Sequence, residues 1–482
     1  IIDKTSLSLP IDYDEKDFSK LKDKLVNLQG EYYSFNKLKK IADEAEKLTL
    51  KNDYEFLDAS FQEEIISENK LKLVFKIKEF PKQYLSKINI FGNNITEEKV
   101  IRDNLRVDEG DPFNKLLLSK SMNNIRALNI FGKVDYTLDT TNDDNKILNI
   151  SVEEKPTGEI SAGAGTGTQG STIGFGVKEN NFLGKNILLD TNLRVTDEVI
   201  KGKFSIINPK WNYTDKLLKT SIESSTTDRM ANYGYETGKT GFMIGAGWEQ
   251  YNDVYFSPEF NTFYEKLDTN QTASQKMKDQ EGEYFDIAFG YKLDLDKRNQ
   301  RYQTTDGYRS RFSQSIPMIS DDYAFLNSYD YTTFNQFGDM VTRFAFLART
   351  INSMNGEDVR ISKRLYIPTK RLRGFESGRI GPTDGGDYIG GNHTAVINAS
   401  TTLPDFGANL EKVDFQLFID AANVWGVDYD SSLDNSTIRS STGLSVDWYT
   451  PIGPLNFSFA QPLSKASSDK TETFRFNIGT TF

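Results

Sequence analysis

Hydrophobic and polar positions change their period once along the chain, close to Lys155. Before that point, apolar residues recur at helical spacing, as in Phe18, Leu21, Leu25 and Leu28, between short apolar runs that are typical of strands. From Lys155 onward, apolar and polar residues alternate instead, which is the pattern of strands with two different faces. The sequence therefore predicts an α+β part followed by an all-β part.

The N-terminal part repeats the order strand, helix, helix, strand, strand. In the first repeat, residues 14–28 and 35–48 carry the helical apolar stripes, and two predicted strands follow them. A supersecondary unit that occurs twice indicates separate small modules. We therefore predict α+β domains of β-α-α-β-β order at residues 1–82 and 83–155.

The C-terminal part, residues 156–482, contains about sixteen segments that alternate with a period of two. Tight connections such as 251–253 alternate with longer polar ones, namely 226–239, 267–283 and 371–391. An even number of strands, short turns at one end and long loops at the other are typical of bacterial outer-membrane barrels. We predict an all-β transmembrane barrel of about 16 antiparallel strands; a soluble β-sandwich is the alternative, and the loop asymmetry argues against it.

One strand illustrates the two faces. Its first face holds Val413, Phe415, Leu417 and Ile419, and its second face holds Asp414, Gln416, Phe418 and Asp420. A strand of this kind places one face against lipid and the other against the lumen.

Composition agrees with strands rather than helices as the membrane-crossing elements. No apolar run approaches the roughly 18 residues that a membrane helix needs, and Phe and Tyr dominate an aromatic content of 12%. Aromatic residues are frequent in the interfacial belts of membrane barrels. The formal net charge of −11 argues against a nucleic-acid partner.

Residue usage also argues against an enzyme. The chain has no cysteine, which excludes thiolate nucleophiles, disulfides and Cys-ligated metals. A zinc site or a Ser-His-Asp triad would have to use His393, the single histidine, which follows Gly-Gly-Asn and is more often a plain loop residue. We predict no catalytic residue, no metal and no cofactor.

Three motifs lie in register toward the C-terminus. They are the glycine-rich segment 371–391 with Arg373-Gly374-Phe375, the predicted next-to-last strand in 450–462, and the predicted last strand in 474–482. Together they resemble the POTRA-plus-barrel superfamily of outer-membrane assembly proteins, in which POTRA denotes the polypeptide-transport-associated domain. The β-α-α-β-β order of the two N-terminal units resembles that domain as well.

The resemblance implies a central subunit of the β-barrel assembly machinery, located in the outer membrane of a Gram-negative bacterium with its POTRA domains in the periplasm. The implied partners are unfolded outer-membrane protein clients, periplasmic lipoproteins of the assembly complex, periplasmic chaperones and outer-membrane lipids. Because the chain begins without Met and without an apolar targeting segment, we expect a mature or truncated form.

The resemblance also implies a lumen loop clamp made of Arg373, Gly374, Phe375 and Asp420, in which the arginine is held by acidic residues of neighbouring strands. A second acid is expected on the preceding strand, where this chain has Ser400. Either the clamp has one acidic partner, or another lumen acid such as Asp447 compensates.

A lateral gate is expected between the first and last strands. Gly163, Gly165 and Gly167 fall on one face of the first strand, so that this strand packs weakly. The last strand carries an outward pattern that resembles the β-signal of outer-membrane barrels, formed by Phe474, Phe476, Ile478 and Phe482.

The resemblance also implies that Glu109, between the two helices of the second unit, is a candidate contact for a lipoprotein partner; a solvated acidic loop fits its position at least as well.

The main alternative function is a two-partner-secretion type polypeptide translocation pore, which would share the POTRA domains and the barrel. A passive porin would share the barrel but would not need residues 1–154, so we regard it as the weaker alternative. The first strand also contains glycines at alternate positions, but a phosphate-binding loop must open a helix, and a second strand follows here.

Overall fold

The computed structural model describes most of the chain. The described residues are 2–9, 16, 18–30, 38, 41, 45, 57–67, 70–79, 83–168, 170–301, 303–404, 413–450 and 453–479. Within them the chain divides into two compact units, one of residues Ile1–Thr157 with Asn181–Asn186, and one of Gly158–Asn180 with Ile187–Phe482.

The first N-terminal domain contains a three-stranded sheet and at least one helix. Its elements are β1 (Ile2–Ser8), α1 (Ser19–Val26), β2 (Leu57–Ser67) and β3 (Lys70–Glu79). Strand β3 lies in the middle, parallel to β1 and antiparallel to β2. Most of the predicted helix 35–48 lies outside the described residues, but Leu38, Ile41 and Ala45 are helical and buried in the domain core.

The second domain has the same order of elements. They are β4 (Leu85–Phe91), α2 (Glu98–Arg102), α3 (Lys115–Ala127), β5 (Phe131–Thr140) and β6 (Lys146–Glu154). Strand β6 is central, parallel to β4 and antiparallel to β5. The apolar stripe of α3, formed by Leu118, Met122 and Ile125, packs on Leu148 and Ile150 of β6, because residues three and four apart lie on the same face of a helix.

The second unit is a closed barrel of sixteen strands, each antiparallel to its neighbours. The strands are β7 (Gly158–Gly167), β8 (Gly170–Phe182), β9 (Ile187–Thr196), β10 (Val199–Asn208), β11 (Leu217–Arg229), β12 (Tyr235–Tyr251), β13 (Val254–Thr269), β14 (Gly282–Asp296), β15 (Gly307–Ile319), β16 (Ala324–Phe337), β17 (Met340–Ser353), β20 (His393–Thr402), β21 (Val413–Trp425), β22 (Arg439–Thr450), β23 (Gly453–Ser464) and β24 (Phe474–Gly479). A two-stranded hairpin, β18 (Thr383–Asp384) with β19 (Asp387–Tyr388), lies in the connection between β17 and β20. The predicted architecture of POTRA-like domains followed by a sixteen-stranded barrel is confirmed.

The alternation of residue types determines which side chains face outward. On β21, Leu417 and Ile419 are 47% and 58% exposed, whereas Phe418 and Asp420 are buried. Outward-facing Phe242 and Phe260 are likewise exposed on β12 and β13. Large apolar side chains exposed around a closed sheet form a surface that water does not solvate well but lipid does.

The connections differ at the two ends of the barrel. One end has turns such as 252–253 and 338–339, and the other carries the connection of residues 354–392. The predicted loop 226–239 is shorter than expected, because β11 continues to Arg229 and β12 begins at Tyr235, and a four-residue helix, Met230–Tyr233, links them. Among the described residues, no helix is long and apolar enough to cross a membrane.

Candidate functional site: the lumen loop and the barrel seam

The connection of residues 354–392, which we call the lumen loop, packs against the inner wall of the barrel. Leu372, Phe375 and Ile380 of the loop share a buried cluster with Val396 of β20 and Val424 of β21. Phe375 is 1% exposed. Burying these side chains against the wall stabilises the inward position of the loop.

Arg373 and Asp420 form the most direct polar contact between the lumen loop and the wall. Arg373 donates from Nε to Asp420 Oδ2 and from Nη2 to Oδ1, both at 2.7 Å, and its backbone N–H donates to Oδ2 at 3.1 Å. The Asp420 side chain is fully buried. The guanidinium carbon also lies 3.4 Å from the centre of the Phe418 ring. A paired fork of this kind, stacked on an aromatic face, suits arginine and not lysine.

The sequence analysis expected a second acid beside Arg373 on the preceding strand, and the structure places the amide of Asn398 at Asp420 instead. Asn398 lies opposite Asp420 on β20, and its Nδ2 donates to Asp420 Oδ1 at 2.8 Å and to the Arg371 carbonyl at 2.7 Å. Ser400 lies opposite Phe418, two residues further along the strand. No second acid contacts Arg373 within the described part of the chain.

Asp447, the alternative acidic partner for Arg373, bonds to other side chains among the described residues. Its carboxylate accepts hydrogen bonds from Gln416 Nε2 at 3.1 Å and Asn456 Nδ2 at 2.6 Å, which are its neighbours across the sheet. The residue of β22 that contacts Arg373 is Ser445, two residues before Asp447. Its Oγ accepts a hydrogen bond from Arg373 Nη1 at 3.4 Å.

Gly374 is required by two independent features. Its φ is +87°, in the left-handed region that favours glycine. A Cβ at this position would also lie 3.1 Å from Ala460 Cβ and 3.2 Å from Ser441 Cβ. The backbone therefore passes close to β22 and β23, and a side chain would push the loop away from the wall.

The lumen loop also contacts the segment that leads into the last strand. Phe375 forms an isolated bridge with Thr471, and the Glu472 N–H donates to the Gly374 carbonyl at 3.1 Å. Arg475 of β24 donates to the carbonyl oxygens of Thr369 at 2.8 Å and Phe375 at 2.5 Å. The last strand is thus tied directly to the loop.

Sequence reasoning did not identify Arg475 and Asn398 as loop contacts. In the sequence, each of the two is only a polar residue on the lumen face of a strand, and many such residues occur along the barrel. Their partners lie far away in sequence, 106 residues for Arg475 and Thr369, so that period and composition alone do not select them.

The seam between β24 and β7 closes the barrel. Within the described residues it pairs Asn477 with Gly167, Ile478 with Thr166, and Gly479 with Gly165.

Glycines bring the two edges of the seam close together. A Cβ at Gly167 would lie 2.4 Å from the Phe476 carbonyl oxygen. Gly163 lies opposite Gly174 on β8, so two positions without side chains face each other there. This removes the cross-strand side-chain contacts that normally stabilise a sheet.

The aromatic residues of the last strand lie on one side. Arg475 and Asn477 pair with Ser458 and Asn456, whereas the alternate residues Phe474, Phe476 and Ile478 take the opposite face. The Phe474 ring lies 4.7 Å from that of Phe459 on β23. Phe482 lies outside the described residues.

Glu109 makes contacts within its own domain. Its Oε1 accepts the Ile88 N–H at 2.9 Å, and Arg102 Nη1 lies 3.7 Å away. The side chain remains 46% exposed, so one carboxylate oxygen holds the helix connection to β4 while part of the group still faces solvent.

The described residues contain no group of three or more His, Cys, Asp or Glu side chains arranged to hold a metal ion. His393 instead lies beside Trp425, with 5.5 Å between ring centres.

Comparison with known proteins agrees with this architecture. Residues 181–482 match the Omp85 superfamily domain, and residues 83–155 match the POTRA family, described as a surface antigen variable number repeat. The chain is 25% identical over 427 residues to the outer membrane protein assembly factor BamA of Neorickettsia risticii, covering 86% of this chain and 57% of that protein. It is 24% identical to BamA of Neisseria meningitidis serogroup B, covering 99% of this chain and 66% of that protein.

A crystal structure of BamA from Haemophilus ducreyi lacking POTRA domains 1–3 has the same fold, with a TM-score of 0.78, 21% identity, and coverage of 99% of this chain and 100% of that one. The chain spans between about half and two thirds of the length of the curated relatives it matches. The resemblance inferred from the three motifs is confirmed.

Proposed function

Because this chain belongs to the Omp85 superfamily, we propose that it is an outer membrane protein assembly factor, as the curated relatives named above are. In this proposal it folds β-barrel proteins and inserts them into the outer membrane of a Gram-negative bacterium, with its POTRA domains in the periplasm. Its substrates are unfolded outer-membrane barrel proteins. The feature that supports the proposal most directly is the glycine-rich seam between β7 and β24 that closes the barrel.

The proposed mechanism uses the seam as a lateral gate. The two strands separate at the seam, where glycines leave few side-chain contacts, and each then presents unpaired N–H and C=O groups at the edge of the lipid. An incoming client strand forms the same hydrogen bonds by β-augmentation. No nucleotide is required, because burial of the client's apolar strand faces in lipid supplies the driving force.

The lumen loop holds the last strand of the barrel in this mechanism. Arg373 holds the loop on Asp420, and Arg475 holds the last strand on the loop. We propose that these contacts form a clamp that keeps β24 in place while β7, which has small residues on both faces, is the strand that moves. The clamp residues are Arg373, Gly374, Phe375 and Asp420.

Further partners follow from the same proposal. Periplasmic lipoproteins and chaperones are expected to deliver or receive clients at the POTRA domains, and the partly exposed carboxylate of Glu109 is one candidate contact. Outer-membrane lipids contact the apolar outer surface of the barrel.

The test is depletion of this protein in its host, followed by quantitative proteomics of the outer membrane, the periplasm and the medium. If the protein is an assembly factor, we expect the amounts of many unrelated barrel proteins to decrease together while their unfolded forms accumulate in the periplasm. Re-expression of the wild-type chain should restore them. If barrels persist while one secreted polypeptide disappears from the medium, the chain is a translocation pore and the proposal is wrong.

A further inference from the structure

A cavity of about 240 Å³ lies in the barrel lumen between the wall and the lumen loop, and it is lined mainly by arginine side chains. Arg309 and Arg311 belong to β15 and Arg343 to β17, while Arg371 comes from the loop. Arg298 completes the set from the turn after β14. Five cations around one solvent-accessible space require counter-charges, and the question is whether the protein itself supplies them.

The protein supplies three carboxylates to these five cations. Arg298 pairs with Asp296 at 2.7 Å, Arg309 pairs with Asp294 at 2.6 Å, and Arg371 pairs with Asp330 at 2.6 Å. Two arginines of the set remain without a carboxylate of their own. The cluster therefore carries an excess of two positive charges.

Arg343 and Arg311 are these two arginines. Among the described residues, Arg343 makes no hydrogen bond or ion pair, and the strand neighbours opposite it are Ser400 and Phe334, which carry no charge. Arg311 Nε lies 3.4 Å from Asp294 Oδ2, which Arg309 already binds, and this Nε is buried without a hydrogen-bond partner. Both side chains thus have unused donor capacity beside the cavity.

We propose that this cavity binds a phosphate group, with Arg343 and Arg311 as its principal donors and Arg371 as a third. The excess of two positive charges matches a phosphate dianion. A carboxylate offers two oxygens, whereas a phosphate offers three or four, which suits several guanidinium forks converging from different strands. The phosphate is either a free inorganic ion or the headgroup of a lipid.

Binding has a consequence for the lumen loop. Arg371 is a loop residue and its present partner, Asp330, lies on β16 of the wall. A phosphate bound by Arg371 of the loop and by Arg311 and Arg343 of the wall would connect the loop to the wall in addition to the Arg371–Asp330 ion pair. The bound state is therefore expected to resist proteolysis of the loop more than the free state does.

The experiment measures binding of inorganic phosphate to the full chain folded in a phosphate-free maltoside detergent, by titration calorimetry in low-salt buffer. Wild type is expected to bind phosphate saturably, and Arg343→Gln is expected to weaken binding about tenfold or more, because a charge-assisted fork is lost. Arg343→Lys, which keeps the charge but not the fork, should lie between the two.

Arg349→Gln provides the matched control, because Arg349 lies on the same strand and the same face as Arg343 and does not line the cavity. It should bind phosphate as wild type does. Unheated gel mobility verifies that each variant is folded, and Arg311→Gln replaces Arg343→Gln if the latter does not fold.

Two competitors identify the ligand. Displacement of phosphate by lysophosphatidic acid indicates a lipid headgroup as the source, and failure to displace it indicates the free ion. The proposal is overturned if wild type shows no saturable binding, if Arg349→Gln weakens binding as much as Arg343→Gln, or if acetate binds as tightly as phosphate. The last result would assign the cavity to carboxylate side chains of a polypeptide.

Discussion

At the scale of single residues, the lumen loop depends on a few charged side chains whose partners are fixed by geometry. Asp420 is fully buried and accepts from two nitrogens of the Arg373 guanidinium and from its backbone N–H. Replacing the carboxylate by a neutral amide would remove the counter-ion of Arg373 in a site with little water. The partly buried pair is therefore expected to cost more to break than an exposed ion pair.

Asp420→Asn is expected to destabilise the docked lumen loop by about 2 kcal/mol, because the charge of Arg373 loses its buried counter-ion. Limited proteolysis of the folded protein in detergent measures the change as faster cleavage within residues 354–392.

The control for this variant is Asp447→Asn. Asp447 is also an acid on the lumen side of the sheet, but its described hydrogen bonds come from the neutral amides of Gln416 and Asn456. Cleavage should stay near the wild-type rate. Equally faster cleavage in both variants would mean that loss of any lumen carboxylate loosens the loop. It would contradict a specific role for the Arg373–Asp420 ion pair.

Glu154 is a second residue whose charge is used structurally, here in the second N-terminal domain. Burial alone would raise the pKa of Glu154, but hydrogen bonds from Thr96 and from the N–H groups of Ile95 and Asn94 outweigh it and leave the pKa lowered. Because the folded pKa is depressed, this carboxylate stabilises the domain above the usual glutamate range. The contribution is lost as the pH falls through the folded pKa.

Glu154→Gln should therefore lower the stability of residues 83–155 by about 1 kcal/mol at neutral pH, since the amide oxygen accepts weaker hydrogen bonds than a carboxylate. Urea unfolding of the full chain, followed by pulse hydrogen exchange of peptides from this range, gives the midpoint.

In acid well below the usual glutamate range, the wild type and Glu154→Gln should have converging midpoints. A difference that is independent of pH would show that the side chain acts through its shape and not through its charge.

At the scale of elements, the seam between β7 and β24 differs from the pairing of β13 with β14 in its side chains. The described pairing at the seam covers Gly165, Thr166 and Gly167 of β7, and the glycines leave few side-chain contacts across it. By contrast, β13 and β14 carry large aromatic residues that face each other, such as Phe260 and Phe289. Opening the seam therefore breaks fewer side-chain contacts per residue pair than opening β13 from β14 does.

A disulfide across the seam is expected to abolish the function without unfolding the barrel. Thr166→Cys with Ile478→Cys places the thiols on residues that face each other directly, and no native cysteine competes. Complementation of a depletion strain under oxidising conditions should fail and should recover when a reductant is added.

A matched pair, Thr262→Cys with Ile287→Cys, crosses β13 and β14 at positions that also face each other. It should complement with or without reductant. If the seam disulfide forms quantitatively and the cells still assemble barrels, the lateral gate is not required.

At the scale of the whole molecule, the barrel has a complete set of strand partners within its own unit. All sixteen strands of the closed sheet come from residues after Thr157. Closure removes the free edges that would otherwise pair with another chain. The N-terminal domains have their own cores, formed around α1 and around α3.

Residues 158–482 alone are therefore expected to fold in detergent micelles. All four tryptophans of the chain, Trp211, Trp248, Trp425 and Trp448, lie in this part, so that fluorescence reports on the barrel in both forms. The truncated and full chains should show the same emission maximum and the same shift in gel mobility on heating. A truncated chain that migrates identically before and after heating would contradict the independence of the barrel.

The sequence by itself determined the secondary structure classes, a barrel of about sixteen strands, and the two faces of strands such as β21. These properties depend on local periodicity, which is a property of neighbouring residues: helical spacing around Leu21 and Leu25, and alternation around Leu417 and Ile419. The family motif also predicts the contact between Arg373 and Asp420, because a motif encodes contacts that periodicity does not.

The tertiary structure alone decided which lumen side chains meet. Strand pairing places Asn398, and not Ser400, opposite Asp420, and it leaves Asp447 beyond the reach of Arg373. It also brings Arg475 to carbonyl groups of a loop about a hundred residues earlier and leaves Arg343 without a carboxylate. The physical reason is that contacts across a closed barrel depend on the register of every strand between them and on the path of the loop, and neither is a local property of the chain.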